Sequence, residues 1–185
     1  EMEIRRIETI GPKVGDELKT SALQAILIAL GLVLVYITFR FQWRQGIAAI
    51  ITLLHDVMVV VGIFSIFDKE FTLPVIAALL TVVGYSLNDT IVIFDRIREN
   101  ISKFRKRELL PLINQSVTET LSRTLLTSGT TLMVVLALIF LGGEIIHDFA
   151  FALLVGVLIG TYSSIYVASP MVLWLTKIAP PKTSD

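Results

Sequence analysis

The chain has 185 residues, of which 54% are hydrophobic and 17% are charged, and its formal net charge is zero. Soluble domains contain about 45–50% apolar and about 25% charged residues, so this excess of apolar residues indicates membrane spans instead of a large soluble core. Zero net charge provides no general attraction to nucleic acid, and the lack of cysteine excludes disulfides, cysteine-ligated zinc and thiol catalysis.

Five apolar segments, each near the roughly 20 residues needed to cross the hydrocarbon core of a bilayer, predict five transmembrane segments. In lipid every backbone N–H and C=O group needs an internal partner, so we expect these spans to be helices. The predicted spans are, in chain order, 21–39, 46–67, 71–94, 125–141 and 149–174. Pro170 lies within the last span and is expected to kink it.

A sixth, shorter helix is predicted between the third and fourth spans. Apolar residues recur there at helical spacing from Leu110 to Leu121. We therefore predict an amphipathic helix over 109–122, within a polar segment that covers about residues 101–122. This helix either lies on the membrane surface or packs against the ends of the spans, and the sequence favours neither arrangement.

Lysine and arginine residues concentrate in one connection and predict the orientation of the helices. The opposite loops contain only Lys69, whereas this connection contains Arg96, Arg98, Lys103, Arg105, Lys106, Arg107 and Arg123. The positive-inside rule places the basic connection and the C-terminus in the cytoplasm. Residues 1–19 then lie outside although several are basic, which is expected if they end a translocated domain.

One acidic residue lies within the third span, where a charge is costly and therefore suggests a function. This residue, Asp89, follows Asn88, and on a helix the two share a face with Tyr85 and Val92. Burial disfavours the charged carboxylate, so the side chain can bind and release a proton near neutral pH. The alternative is a polar cluster that joins helices. We favour proton handling, because an amide side chain alone would be enough to join the helices and would not require a carboxylate.

Two further ionisable residues leave alternatives open. Asp56, beside His55 in the second span, is either a second proton-relay station or half of a structural hydrogen-bonded pair, and we favour the structural role. Arg123 precedes a hydroxyl-rich part of the fourth span. It either holds Asp89 ionised or extends its side chain to lipid phosphate.

Gly156 and Gly160 form a GxxxG motif, which predicts close packing of the fifth span against a neighbouring helix. There is no P-loop, HExxH or GxSxG motif. The segment "SLND" differs from the GxGD of intramembrane aspartyl proteases. We predict that the chain is not an enzyme, binds no metal, and uses no cofactor other than protons as a coupling ion.

Several blocks of the sequence, in order and over nearly the whole chain, resemble the SecF family: "FRFQWRQGIAAIITLLHDV", "VVGYSLNDTIVIFDRIREN", "LSRTLLTSGTTL" and "SSIYVASP". This family belongs to the resistance-nodulation-division superfamily, and its fold has six helices with a periplasmic domain between the first and second. The resemblance implies an all-α membrane protein with five of those six helices. Residues 1–19 would end the periplasmic domain, 20–177 would form the transmembrane domain, and 178–185 the cytoplasmic tail.

The resemblance also implies a function and partners. Together with SecD, such a chain is expected to use the proton-motive force to promote export of polypeptides across the bacterial inner membrane. Implied partners are the SecY–SecE–SecG channel, YidC-type and YajC-type membrane proteins and the lipid bilayer, but no nucleic acid. Alternatives are another proton-driven exporter of the superfamily, for drugs or lipids, and a purely structural scaffold of the translocon.

By its place in the matching blocks, Asp89 corresponds to the proton-path aspartate of the family and Arg123 to its essential arginine. The proton pathway expected for this chain contains Asp89, Arg123, Asn88 and Asp56. The family's further partner aspartate lies in SecD and is not expected in this chain.

Overall fold

A computed structural model describes residues 12–40, 43–104 and 108–178. These residues are almost entirely helical, and the predictions for 1–11 and 179–185 lie outside them. The elements in chain order are α1 (Pro12–Arg40), α2 (Trp43–Ile66), α3 (Leu73–Lys103), α4 (Leu109–Leu141), α5 (Glu144–Ser163), a π-helical segment (Ser164–Ala168) and α6 (Ser169–Ile178).

Four helical stretches are long and apolar enough to cross a membrane, which confirms the prediction of an all-α membrane protein. They are α2, α3, α4 and the continuous stretch Glu144–Ile178 that α5, the π-helical segment and α6 form together. These stretches correspond to the second, third, fourth and fifth predicted spans. The apolar part of α1 covers only Gln24–Ile37, so its crossing of the membrane stays a prediction.

The third and fourth spans are longer than their apolar segments, because polar residues continue both helices beyond the apolar core. α3 ends at Lys103 and α4 begins at Leu109. The predicted amphipathic helix over 109–122 is therefore not a separate element but the first part of α4. Its apolar side packs against the bundle, since Ile113 joins a buried cluster with Ala168 and Val172.

The fifth span lies at the centre of the bundle and has its most extensive contacts with α3, followed by α4 and α2. At the contact with α3, Gly156 lies against Val82, and Gly160 lies against Ser86. A methyl group added at Gly156 would overlap the Val82 side chain, and one added at Gly160 would stand 3.1 Å from Cβ of Ser86. The two glycines therefore lie where the backbones approach most closely.

The fifth span changes its helical geometry before Pro170, where we predicted a kink. Residues Ser164–Ala168 form a π-helix, and α6 continues from Ser169. A proline has no N–H to donate, and its ring conflicts with the carbonyl oxygen four residues earlier, which here belongs to Tyr166. The widened turn accommodates the ring, and the Ser169 hydroxyl donates a hydrogen bond to the Ser164 carbonyl oxygen at 3.3 Å.

Two buried apolar clusters fill the bundle, with polar residues between them. One contains Leu53, Phe94 and Ile97 among others, and the second is built around Val60 and Phe64 with residues of α3 and α5. On α2, Asp56 lies between Leu53 and Val60 and is only 1% exposed. The carboxylate is thus enclosed by the protein and not left against lipid.

Ion pairs connect the helices at both ends of the bundle. At one end Lys69, in the α2–α3 loop, contacts Asp148 of α5 at 2.5 Å. At the other end Arg96 of α3 contacts Glu119 of α4 at 2.6 Å, and the buried Asn100 side chain donates to Glu119 at 2.9 Å. The α2–α3 loop and the α4–α5 loop are predicted to face the same side of the membrane. The contact between Lys69 and Asp148 places them at the same end of the bundle.

Replacing Gly156 by alanine is expected to destabilise the protein by about 1–3 kcal/mol, because the added methyl group overpacks the contact with Val82. Thermal unfolding of the purified full-length protein in detergent measures the effect. Gly84→Ala is the matched control, since a methyl group there meets nothing within 4 Å. Combining Gly156→Ala with Val82→Ala should recover part of the loss. Equal unfolding temperatures for Gly156→Ala and Gly84→Ala would contradict the close contact.

Candidate functional site

Asp89 lies on α3 with only 3% of its surface exposed, facing α4. The Ser128 hydroxyl and the positively charged Arg123 side chain, both on α4, lie close enough to interact with its carboxyl group. Its Oδ2 atom is buried and has no hydrogen-bond partner among the described residues. A buried polar atom without a partner is unfavourable, so this oxygen can still accept a hydrogen bond from one further donor.

A set of hydroxyl groups surrounds this carboxyl group and connects three helices. The Tyr85 hydroxyl donates to Ser128 Oγ at 3.3 Å, and Ser128 Oγ lies 2.7 Å from the Thr161 hydroxyl of α5. Thr161 in turn donates to the Val157 carbonyl oxygen at 2.7 Å. Ser128 therefore stands between Asp89 and α5, and a change at the carboxyl group reaches α5 through a single side chain.

The predicted polar face of α3 is divided by the packing. Tyr85 is half-buried against α4, whereas Asn88, adjacent to Asp89, is exposed on the outside of this chain. Asn88 therefore does not contribute to the interior contacts of Asp89 within this chain. Its amide faces the surface where a lipid or a neighbouring subunit would lie.

Arg123 is exposed and lines an open polar cavity between α3 and α4 of about 340 Å³. The other residues that line it are Val92, Asp95, Arg96, Glu99, Glu119 and Thr120. Val92 lies one helical turn from Asp89, so the cavity extends from the charged end of the bundle toward the buried carboxyl group. Arg123 thus stands between this cavity and Asp89.

Asp56 belongs to a different cluster, formed by α2, α3 and α5. Its Oδ2 atom accepts hydrogen bonds from Ser86 Oγ at 2.5 Å and Ser163 Oγ at 2.8 Å. Its Oδ1 atom lies 2.9 Å from Nδ1 of His55, whose side chain is 36% exposed. In contrast to Asp89, both oxygens of Asp56 have partners. The structure thus separates two acidic residues that the sequence placed in one pathway.

Sequence reasoning did not identify Ser86, Ser163 and Thr161 as partners of the buried groups. Their signal in the sequence is a hydroxyl within an apolar helix, three residues before Asp89 for Ser86. Such hydroxyls often bond their own backbone, so only the packing identifies these three as links between helices. The described residues contain no group of three or more potential metal ligands.

This arrangement defines an all-α, multi-pass membrane protein with ionisable side chains enclosed within its helical bundle. The family model described as "Protein export membrane protein SecD/SecF, C-terminal" matches residues 1–178. The chain therefore belongs to the SecD/SecF family.

Named relatives agree with this assignment. The chain is 56% identical over 174 residues to the protein translocase subunit SecF of Vibrio alginolyticus, covering 94% of this chain and 55% of that protein. It is 53% identical over 165 residues to the protein translocase subunit SecDF of Thermus thermophilus, covering 89% of this chain and 22% of that protein. The chain spans about half the length of the SecF relative.

Solved structures of SecDF have the same fold. The crystal structure of SecDF from Thermus thermophilus, described as a translocon-associated membrane protein, matches with a TM-score of 0.87 and 51% identity, over 91% of this chain and 23% of that one. SecDF in a super-membrane-facing form matches with a TM-score of 0.83 and 49% identity, over 91% of this chain and 22% of that one.

Replacing Ser128 by alanine is expected to destabilise the protein by about 1–2 kcal/mol, because the half-buried Tyr85 hydroxyl and the buried Asp89 carboxyl group lose the hydroxyl that both contact. Thermal unfolding in detergent measures the loss. Thr130→Ala is the control, since the exposed Thr130 hydroxyl donates only to carbonyl oxygens of its own helix. If both variants unfold at the wild-type temperature, Ser128 contributes nothing to the contact between α3 and α4.

Proposed function

We propose that this chain is most of the membrane domain of a SecF subunit that promotes export of polypeptides by the Sec translocase. It does so with SecD and at the expense of the proton-motive force. Membership of the SecD/SecF family supports the role in export. The buried Asp89 carboxyl group beside Arg123 supports the coupling to protons.

The proposal includes partners and a location. SecD is the direct partner, which is supported by relatives in which both names are joined as SecDF. The SecY–SecE–SecG channel and YidC-type and YajC-type proteins complete the assembly in the bacterial inner membrane. Residues 1–19 end a periplasmic domain, 20–177 form the transmembrane domain, and 178–185 are a cytoplasmic tail.

The proposed mechanism uses the pair formed by Asp89 and Arg123. While the guanidinium group is near, it compensates the charge of the carboxylate. When the helices shift and the guanidinium moves away, a buried carboxylate without a counter-charge is unfavourable and takes up a proton. Proton uptake and release would therefore alternate with two arrangements of α3 and α4. The exposed Asn88 lies on the side where SecD would approach.

The available energy sets the scale of each step. One proton crossing the membrane potential provides about 2.3 kcal/mol per 100 mV, which changes the ratio of two conformations by nearly two orders of magnitude. This energy is too small to move a long polypeptide in one step. The mechanism therefore requires repeated cycles, each of which moves the periplasmic domain.

The orientation can be tested with single cysteines, because the chain contains none. Glu108 directly precedes α4, and Glu144 is the first residue of α5, so the two exposed residues lie at opposite ends of α4. In intact cells permeable only at the outer membrane, an impermeant maleimide should label Glu144→Cys but not Glu108→Cys. In inverted vesicles the result should reverse. Labelling of both residues from the same side would exclude the proposed topology.

The proton-coupling role predicts a specific loss for Asp89→Asn, which retains size and polarity but cannot titrate. Export of a preprotein into inverted vesicles should proceed with ATP alone as in the wild type. The additional export produced by a proton gradient should be lost. Assembly with SecD should remain, as measured by co-purification.

Asp148→Asn is the control for this experiment, because Asp148 is partly exposed and pairs with Lys69 at the end of the bundle opposite Arg123. It should retain the response to the gradient. If Asp89→Asn gains as much from the gradient as the wild type does, Asp89 has only a structural role, and the scaffold alternative is favoured. Proton-driven transport of a drug or lipid by the purified protein, without SecD as its partner, would favour the alternative that the chain belongs to another exporter of the superfamily.

A further inference from the structure

The Asp56 cluster joins three helices through one buried carboxylate. Ser86 of α3 and Ser163 of α5 donate to the same oxygen, and His55 of α2 contacts the other. Hydrogen bonds to an ionised acceptor are roughly twice as strong as bonds between neutral groups. A hydroxyl group at residue 56 could not accept all three contacts as a carboxylate does.

We infer that Asp56 is a positioning residue: it holds α3 and α5 in the arrangement that aims Asp89 at α4. This inference rests on the proposed function, in which Asp89 exchanges the proton. Asp56 acts through Ser86 and Ser163. Its task is thus to hold the two helices, which is the structural role that the sequence favoured over a second proton-relay station.

The link to α3 depends on helical geometry. Ser86 precedes Asp89 by three residues, which places the two side chains on neighbouring parts of the same helix surface. Ser86 also forms the contact surface for Gly160 of α5, so α3 has little freedom to slide there. A rotation of α3 that turned Asp89 away from Ser128 would separate Ser86 from Asp56. The Ser86–Asp56 hydrogen bond therefore opposes that rotation.

The link to α5 connects the two acidic residues. Ser163 binds Asp56, whereas Thr161, two residues earlier and on the other side of the helix, contacts Ser128 beside Asp89. A displacement of α5 thus changes both contacts together. The regular helix ends at Ser163, and the π-helical segment begins with the next residue. π-Helical turns are frequent at functional sites, and here the turn lies directly beside the Asp56 contact.

The test requires a reporter of the position of α3 that does not depend on export. Val92 is half-buried and lines the polar cavity beside Arg123. Val92→Cys introduces one thiol into a chain that has none. Its reaction rate with a positively charged thiosulfonate is measured in membranes that contain the full SecD–SecF complex, first without a proton gradient and then with one.

The expected result is a graded effect of substitutions at residue 56. Asp56→Asn keeps one acceptor and the shape, and should raise the rate without a gradient by about threefold to tenfold, as expected for one lost hydrogen bond. Asp56→Leu keeps the branched shape, with methyl groups in place of both acceptor oxygens, and should raise the rate further. If Asp56 only fills space, the two variants should instead react alike. Thermal unfolding checks that each variant is folded.

Two adjacent buried serines provide a matched pair of milder variants. Ser163→Ala removes a hydroxyl that binds Asp56, whereas Ser164→Ala removes one that donates only within its own helix, to the Thr161 carbonyl oxygen. Only Ser163→Ala should change the reaction rate. Adding Ser163→Ala to Asp56→Leu should cause no further change, because the contact has already been lost.

The outcomes separate this inference from the proposed function. Equal rates for wild type and Asp56→Leu, or for Ser163→Ala and Ser164→Ala, would overturn the positioning role. If the rates change as expected but Asp56→Asn retains the full gain in export from a gradient, the link from Asp56 to Asp89 is wrong. If wild-type export shows no response to a gradient, the proposed proton coupling fails, whereas the rates without a gradient still decide the positioning role.

Discussion

The close approach of α5 to α3 at Gly156 and Gly160 is the constraint on which the remaining contacts depend. Because neither glycine has a side chain, the two helices pack with the Val82 and Ser86 side chains directly against the α5 backbone. With α5 held this close to α3, the short Ser163 side chain reaches Asp56 of α2, and Thr161 reaches Ser128 of α4. A larger residue at either glycine would move the α5 backbone away from α3. The short hydroxyl side chains could then no longer reach their partners.

The two buried acidic residues differ in how completely their oxygens are satisfied, and this difference supports the different tasks proposed for them. Asp56 accepts hydrogen bonds from two serines and contacts His55, so its interactions favour one arrangement of helices. Asp89 has an oxygen without a partner among the described residues, and its counter-charge is the exposed side chain of Arg123. A fully bonded carboxylate holds structure, whereas an incompletely bonded one can gain a proton or exchange partners at lower cost.

Charged side chains join the helices at the ends of the bundle, whereas hydroxyl groups line its interior. At the charged end, Arg96 and Asn100 of α3 both contact Glu119 of α4, and Asn100 also donates to Ser116 at 2.9 Å. The polar cavity that reaches Arg123 lies beside this group. A change at Asp89 is expected to rotate or bend the helices between these contacts, with the π-helical turn after Ser163 as the least regular part of the fifth span.

The sequence by itself determined the number and order of the apolar segments, because the length of hydrocarbon to be crossed is set by the bilayer and not by the fold. It also identified Asp89, Arg123 and the GxxxG glycines, since a charge or a pair of glycines within an apolar segment is conspicuous without coordinates. The tertiary structure decided that α4 is continuous from Leu109, and that Asn88 faces outward while Asp56 joins Ser86 and Ser163. Helical periodicity gives only the relative angles of residues on one helix; which neighbour each angle meets depends on side-chain packing between helices distant in the sequence.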